Sequence, residues 1–152
     1  MIQRKQTLFL FLGIVALLLC LFFPVLRIDP SGMGGSALLF NIGQRMADGT
    51  LCFSNWPMFA LLAIACALSL VDIFLYKKRK LQAKVCLWSV ILCLAWYVFV
   101  ALVYAHVVLS IAGTMHIKFS ACLPFVALVF FVMARKGIIA DEKLVRAADR
   151  IR

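Results

Sequence analysis

Lys77-Lys78-Arg79-Lys80-Leu81-Gln82-Ala83-Lys84 is the stretch from which the rest of the chain can be read. Five of its eight residues are basic and none is acidic. Long apolar segments flank it on both sides. Lys and Arg beside a membrane span are retained on the cytoplasmic side. The stretch therefore reads as a cytoplasmic loop between two spans, and it orients everything before and after it.

The composition agrees with that reading. Of 152 residues, 66% are hydrophobic, and the mean hydropathy is +1.08. Soluble domains are only about half apolar, so the solvent expected for this chain is lipid. The formal net charge is +10, from 16 Lys and Arg against 6 Asp and Glu. Such a balance raises nucleic acid and anionic lipid as partners. Here the basic residues gather at the ends of apolar segments, which is a topology signal. No nucleic-acid reading motif accompanies them, and no nucleic-acid partner is expected.

Working outward, Met1 to Gln6 is a short basic cap, and Thr7 to Leu26 follows without a charge. A helix of about 20 residues crosses a hydrocarbon core of about 30 Å. The residues before Pro24 and Leu26 are bulky, unlike the small residues of a signal-peptide cleavage site. An uncleaved first span over 7–26 is expected. Residues 27–56 form the longest polar connection, with the turn-forming run Asp29-Pro30-Ser31-Gly32-Met33-Gly34-Gly35-Ser36. That run lacks the spacing of a phosphate loop. Ala37 to Ile42 suits a short strand or helix lying on the membrane. The connection carries only Arg27 and Arg45 as basic residues, so it belongs outside.

Pro57 opens the second span, 57–76, at a position where a helix tolerates it. Ala60, Ala63 and Ala67 give this span a small-residue face. The third span is expected over 85–111. Ser89, Cys93, Tyr97, Ala101 and Ala105 recur along it at four-residue spacing and should face another helix. The fourth span is expected over 115–134, with Lys118 extending towards the interface and a kink at Pro124. Arg135-Lys136-Gly137 should end it. Residues 135–152 then form a cytoplasmic tail, with an amphipathic helix from Asp141 whose apolar face is Leu144, Val145, Ala148 and Ile151. The expected fold class is all-α: a polytopic four-helix membrane bundle over 1–134 with both termini cytoplasmic, followed by the tail helix.

Chemistry is sparse. Asp72 is the single acidic residue inside an expected span, and intramembrane carboxylates raise ion or proton handling. In the expected topology it could also form a structural ion pair with the basic loop, which begins five residues on at Lys77, or with Arg135 or Lys136. His106 and His116 lie on separate elements without a neighbouring carboxylate in the sequence, which does not make a metal site. The cysteines Cys20, Cys52, Cys66, Cys86, Cys93 and Cys122 contain no C-x-x-C pair and read as small hydrophobes. No nucleophile–base pair assembles. No cofactor, no metal and no enzymatic activity are expected.

The two ends are more specific. The opening Met1-Ile2-Gln3-Arg4-Lys5-Gln6-Thr7 and the closing Asp141-Glu142-Lys143-Leu144-Val145-Arg146-Ala147-Ala148-Asp149-Arg150-Ile151-Arg152 resemble the domain-of-unknown-function 4293 family, small membrane proteins of Bacteroidota. The resemblance implies a four-span protein of a bacterial inner membrane, and no catalytic residues. Both ends carry polar residues beyond what topology requires: Gln3, Gln6, Asp141, Glu142 and Asp149. They are expected to meet each other or a partner at the inner membrane surface. The preferred function is a non-enzymatic accessory subunit, with Asp141, Glu142, Arg146 and Asp149 as partner-docking candidates. A small transporter, channel or ion-coupled sensor built on Asp72 is the alternative, and a homo-oligomer stays open.

Overall fold

The computed structural model describes residues 3–30, 35–46, 48–53, 55–110 and 113–149. Four long helices, α1 (Gln3–Phe22), α2 (Trp56–Phe74), α3 (Arg79–Ser110) and α4 (Leu123–Asp149), form the bulk of the chain. Each is long and apolar enough to cross a membrane. They pack as a ring in which α1 touches α2 and α4, and α3 touches α2 and α4. Five short strands cover one end of the ring: β1 (Leu26–Pro30), β2 (Ala37–Leu39), β3 (Gln44–Arg45), β4 (Leu51–Cys52) and β5 (Gly113–Ile117). The architecture is thus mostly helical with a small sheet, and the all-α expectation is corrected at the connections.

All four helices bury a stripe of alternating three- and four-residue spacing. On α1 it runs Gln6, Leu10, Gly13, Leu17, Cys20; on α2, Met58, Leu62, Ala65, Ser69, Asp72. On α3 it runs Gln82, Cys86, Ser89, Cys93, Trp96, and on α4, Pro124, Ala127, Phe131, Ala134, Ile138, Asp141. This period of about 3.5 residues keeps one narrow face towards a partner helix. The expected strict four-residue stripe on α3 fails for a geometric reason. Each such step overshoots a helical turn by about 40°, so Ala101 and Ala105 rotate out of the seam and are exposed. The Ala60-Ala63-Ala67 face of α2 likewise gives way to the Met58–Asp72 seam.

The helices of the ring approach closely at two glycines. A Cβ at Gly13 would lie 2.5 Å from the Phe131 ring, and one at Gly137 would lie 3.0 Å from Cγ of Gln6. Gly137 therefore continues α4 instead of ending it. Its helix cost of about 1 kcal/mol is offset by the contact it admits. Residues 135–149 are an extension of α4, not a separate tail helix.

Other boundaries shift as well. The basic stretch is mostly helix: Lys, Arg, Leu and Gln are good helix formers, and α3 already begins at Arg79. The link from α2 is a tight 3₁₀ turn, Leu75–Lys77. At the other end, Pro24 stops α1 four residues early, since the residue before a proline disfavours helix. Met115 to Ile117 belong to β5 rather than to the fourth helix. A 3₁₀ turn, Phe119–Cys122, leads into α4. Pro124 is then the second residue of α4, where its missing N–H is no loss, and it causes no kink.

The strand order is β4-β3-β2-β1-β5, all antiparallel. Leu26 stands opposite Leu39 and Ile117, and Ile28 opposite Ala37 and Met115. Period-two alternation turns these apolar side chains towards the bundle, where Leu26, Ile28, Ala37 and Leu39 are buried. Arg27, Asp29, Thr114 and His116 occupy the other face. There Arg27 Nε lies 3.0 Å from an Asp29 oxygen, and His116 Nε2 lies 3.8 Å from the other. A carboxylate thus accompanies His116, supplied by strand pairing from a residue remote in sequence.

One side chain ties this end together. Asn41 is fully buried. Its Nδ2 donates to the Cys20 carbonyl at 2.6 Å, and its Oδ1 accepts from Trp96 Nε1 at 2.9 Å. The Cys20 carbonyl lies in the last turn of α1, where helix carbonyls lack partners of their own. One asparagine in the sheet connection thereby caps α1 and anchors α3. Replacing it by alanine leaves a donor and an acceptor unpaired in the core, each at about 1–3 kcal/mol. Asn41→Ala should lower the thermal midpoint in detergent sharply, and an unchanged midpoint would show that this bridge does not hold the sheet to the bundle.

Candidate functional site

The end of the ring away from the sheet collects the polar seam residues. Gln6 Nε2 donates to Asp141 Oδ2 at 2.6 Å, and both residues are only 7% exposed. Arg79 Nη1 donates to the Asp141 carbonyl at 3.2 Å. The three residues come from α1, α3 and α4, so this knot pins three helices. A hydrogen bond to a carboxylate is stronger than a neutral one, and burial removes competing water. The expectation that the two ends of the chain meet each other holds at Gln6 and Asp141, at the positions where their seams face.

This placement takes Asp141 out of the exposed docking set, because its carboxylate is consumed within the chain. Glu142 is half-buried one residue on. Arg146 and Asp149 lie on α4, with their side chains outside the described residues. Leu144 and Val145 are 61% and 45% exposed. Val145 is the next seam position after Asp141. The seam of α4 thus continues past the Gln6–Asp141 contact to Val145, which is exposed.

Deeper in the ring, a polar track runs between α2 and α3. Ser69 Oγ donates to the Ala65 carbonyl at 2.8 Å and lies 3.2 Å from Ser89 Oγ. Gln82 Nε2 donates to the Asp72 backbone carbonyl at 3.2 Å. Cys86 Sγ lies 3.1 Å from the Phe131 carbonyl.

Asp72 is fully buried at the last seam position of α2, and neither carboxylate oxygen has a hydrogen-bond partner among the described residues. Arg135 Nε is likewise buried and unpartnered. The ion pair foreseen for Asp72 is therefore not formed with Arg135. Sequence reasoning located Asp72 and missed Gln82, Cys86 and the Ser69–Ser89 contact. Their signal was available in the 3–4 spacing of polar residues on two helices. Among the described residues, His, Cys, Asp and Glu form no cluster of three able to hold a metal ion.

A family model described as "Domain of unknown function (DUF4293)" matches residues 2–151. No curated protein matches the chain.

The Gln6–Asp141 contact makes a direct prediction. A hydrogen bond to a charged group contributes about 1.5–3 kcal/mol. Asp141→Leu and Gln6→Leu should each destabilise the bundle, Gln6→Leu by leaving the buried carboxylate unpaired, while the double variant should recover part of the loss. Additive effects in thermal melts would show that the two side chains do not act as a pair.

Proposed function

Because the chain belongs to the DUF4293 family, whose description assigns no activity, we propose its role from the geometry: a membrane-embedded, non-enzymatic interaction subunit that docks a protein partner on the extension of α4. The four helices span a bacterial inner membrane. Both termini and the turn between α2 and α3 lie in the cytoplasm, where the basic residues concentrate. The sheet lies on the opposite surface.

The observation that carries this reading is the uncovered seam. The stripe Pro124 to Asp141 is buried against the bundle, and its continuation at Val145, beside Leu144, is exposed. An apolar helical stripe of this spacing is what a partner helix packs against. The knot of Gln6, Arg79 and Asp141 anchors the base of the extension to the bundle, and a helix already formed lowers the ordering cost of binding. Basic residues Lys143, Arg146 and Arg150 flank the apolar stripe in sequence and favour an acidic rim on the partner.

The test keeps the chain at full length. A cut at Gly137 would remove Ile138 and Asp141, which are buried in the bundle. Leu144→Glu together with Val145→Lys instead alters only exposed positions. Proteins that co-purify with the native chain in mild detergent should be lost from the double variant, while its thermal midpoint stays unchanged. Retention of every co-purifying protein removes the docking reading.

A second reading rests on Asp72, whose buried carboxylate has no hydrogen-bond partner among the described residues and favours a small transporter, channel or ion-coupled sensor. Under this reading Asp72→Asn in proteoliposomes abolishes a pH- or cation-dependent flux that the native chain supports. Equal flux in the two chains removes it.

A further inference from the structure

Asp72 sits near one end of the ring. At 1.5 Å per residue it lies about 5 Å along the axis from the turn at Leu75, and about 24 Å from Trp56, where α2 begins. The seams change character between these two ends. On the turn side they bury Gln6, Asp72, Gln82 and Asp141. Polar groups continue as far as Ser69 and Ser89, whose hydroxyls lie 3.2 Å apart. Between that pair and the Asn41–Trp96 bond the seams carry Leu17, Met58, Leu62, Cys93 and Ala127, all fully buried. None of these five positions offers a hydroxyl, an amide or a charge. Polar access to Asp72 is therefore from the turn side alone.

The groups around the carboxylate come from all three other helices. At this end α1 presents Gln6 and Leu10, α3 presents Gln82 and the Cys86 thiol, and α4 presents Arg135 and, nearer the surface, Asp141. Gln82 and Cys86 are each bonded to a backbone carbonyl, and Gln6 to Asp141. Both oxygens of Asp72 are buried without a hydrogen-bond partner among the described residues, as is Nε of Arg135. A hard metal cation takes several oxygen ligands, and Asp72 is the one carboxylate at this depth. A proton needs a single oxygen.

We propose that Asp72 is a one-sided proton site: it exchanges a proton with the cytoplasm only, and its charge sets how firmly α4 is held through Arg135. A proton from cytoplasmic water adds to one carboxylate oxygen and leaves a neutral carboxyl. It departs by the same route and restores the anion. In an interior of low dielectric, the attraction between that anion and the Arg135 guanidinium acts beyond contact distance. It vanishes in the neutral form. The helix that responds is α4, whose extension carries the exposed Leu144 and Val145.

This inference rests on the membrane placement proposed above and does not require partner docking. It competes with transport for the same residue, because a site reached from one side passes nothing across. The full-length chain is placed in sealed vesicles of phosphatidylethanolamine and phosphatidylglycerol with pyranine inside, and protease access to the α4 extension gives its orientation. Acidifying the compartment that faces the extension should bring up the infrared C=O stretch of a protonated carboxyl, and Asp72→Asn should lack that band. Acidifying the opposite compartment should not produce it. Luminal pH should follow the same course in both chains. Amide exchange along residues 135–149, referenced to a free peptide at the same pH, should rise with the band and stay constant in Arg135→Gln. If Asp72→Asn does not fold, Asp72→Glu should retain the band at a changed frequency.

A band raised equally from both compartments, or a proton leak that Asp72→Asn abolishes, shows a continuous path. Either result overturns the one-sided site and favours transport. A thermal midpoint raised by sodium or potassium in the native chain and not in Asp72→Asn assigns the site to a metal cation, which also overturns the proposal. Unchanged exchange in the native chain overturns the link to α4. Absence of any Asp72-dependent band overturns the proton site and leaves the membrane placement standing.

Discussion

The hydrogen bonds of Asn41 are the constraint on which the arrangement at the sheet end depends. An apolar interior supplies no alternative partners for a helix carbonyl or an indole N–H. By meeting both, Asn41 fixes the distance between the end of α1 and the middle of α3. The backbone continues the same work. Val25 N–H donates to the Leu39 carbonyl at 2.8 Å, and Lys118 N–H donates to the Val25 carbonyl at 3.0 Å. Ser120 Oγ adds a bond to the Pro24 carbonyl. The segment that leaves α1 is therefore paired on both sides, and the connection that enters α4 is held to it.

The opposite end is built differently. There the seams themselves turn polar: Gln6, Asp72, Gln82 and Asp141 occupy positions that a purely structural bundle would fill with Leu or Ala. Two of these four side chains, Gln6 and Asp141, bond each other, and a third, Gln82, bonds a backbone carbonyl. Asp72 is the exception, with both oxygens buried and without a hydrogen-bond partner among the described residues. Unsatisfied buried groups are costly. This contrast sets the bonded Gln6–Asp141 knot apart from Asp72.

The four helices and their approximate positions were legible from uninterrupted apolar stretches, and Asp72 stood out because acidic residues inside such stretches are rare. Helix ends were less legible. Basic residues at Arg79 to Lys84 marked a change of solvent, not a change of backbone conformation, and so did Arg135 and Lys136. The sheet was hidden because its strands span two to five residues each, and because β5 pairs with a strand more than eighty positions earlier. The role of Asn41 was equally hidden, since one asparagine in a polar connection carries no local signal of its three-way contact.

Hydropathy, charge placement and the family-specific ends by themselves determined a chain of four long apolar helices and its family. These are properties of single segments, set by each segment's own preference for apolar surroundings. Only the tertiary structure decided that Gln6 meets Asp141, that Ala101 and Ala105 rotate out of the α3 seam, and that residues 115–117 leave the fourth helix for the sheet. Each of these depends on where a second segment lies. The relative phase and register of packed elements follow from side-chain interlocking and hydrogen-bond pairing between residues far apart in the chain, and no single segment encodes them.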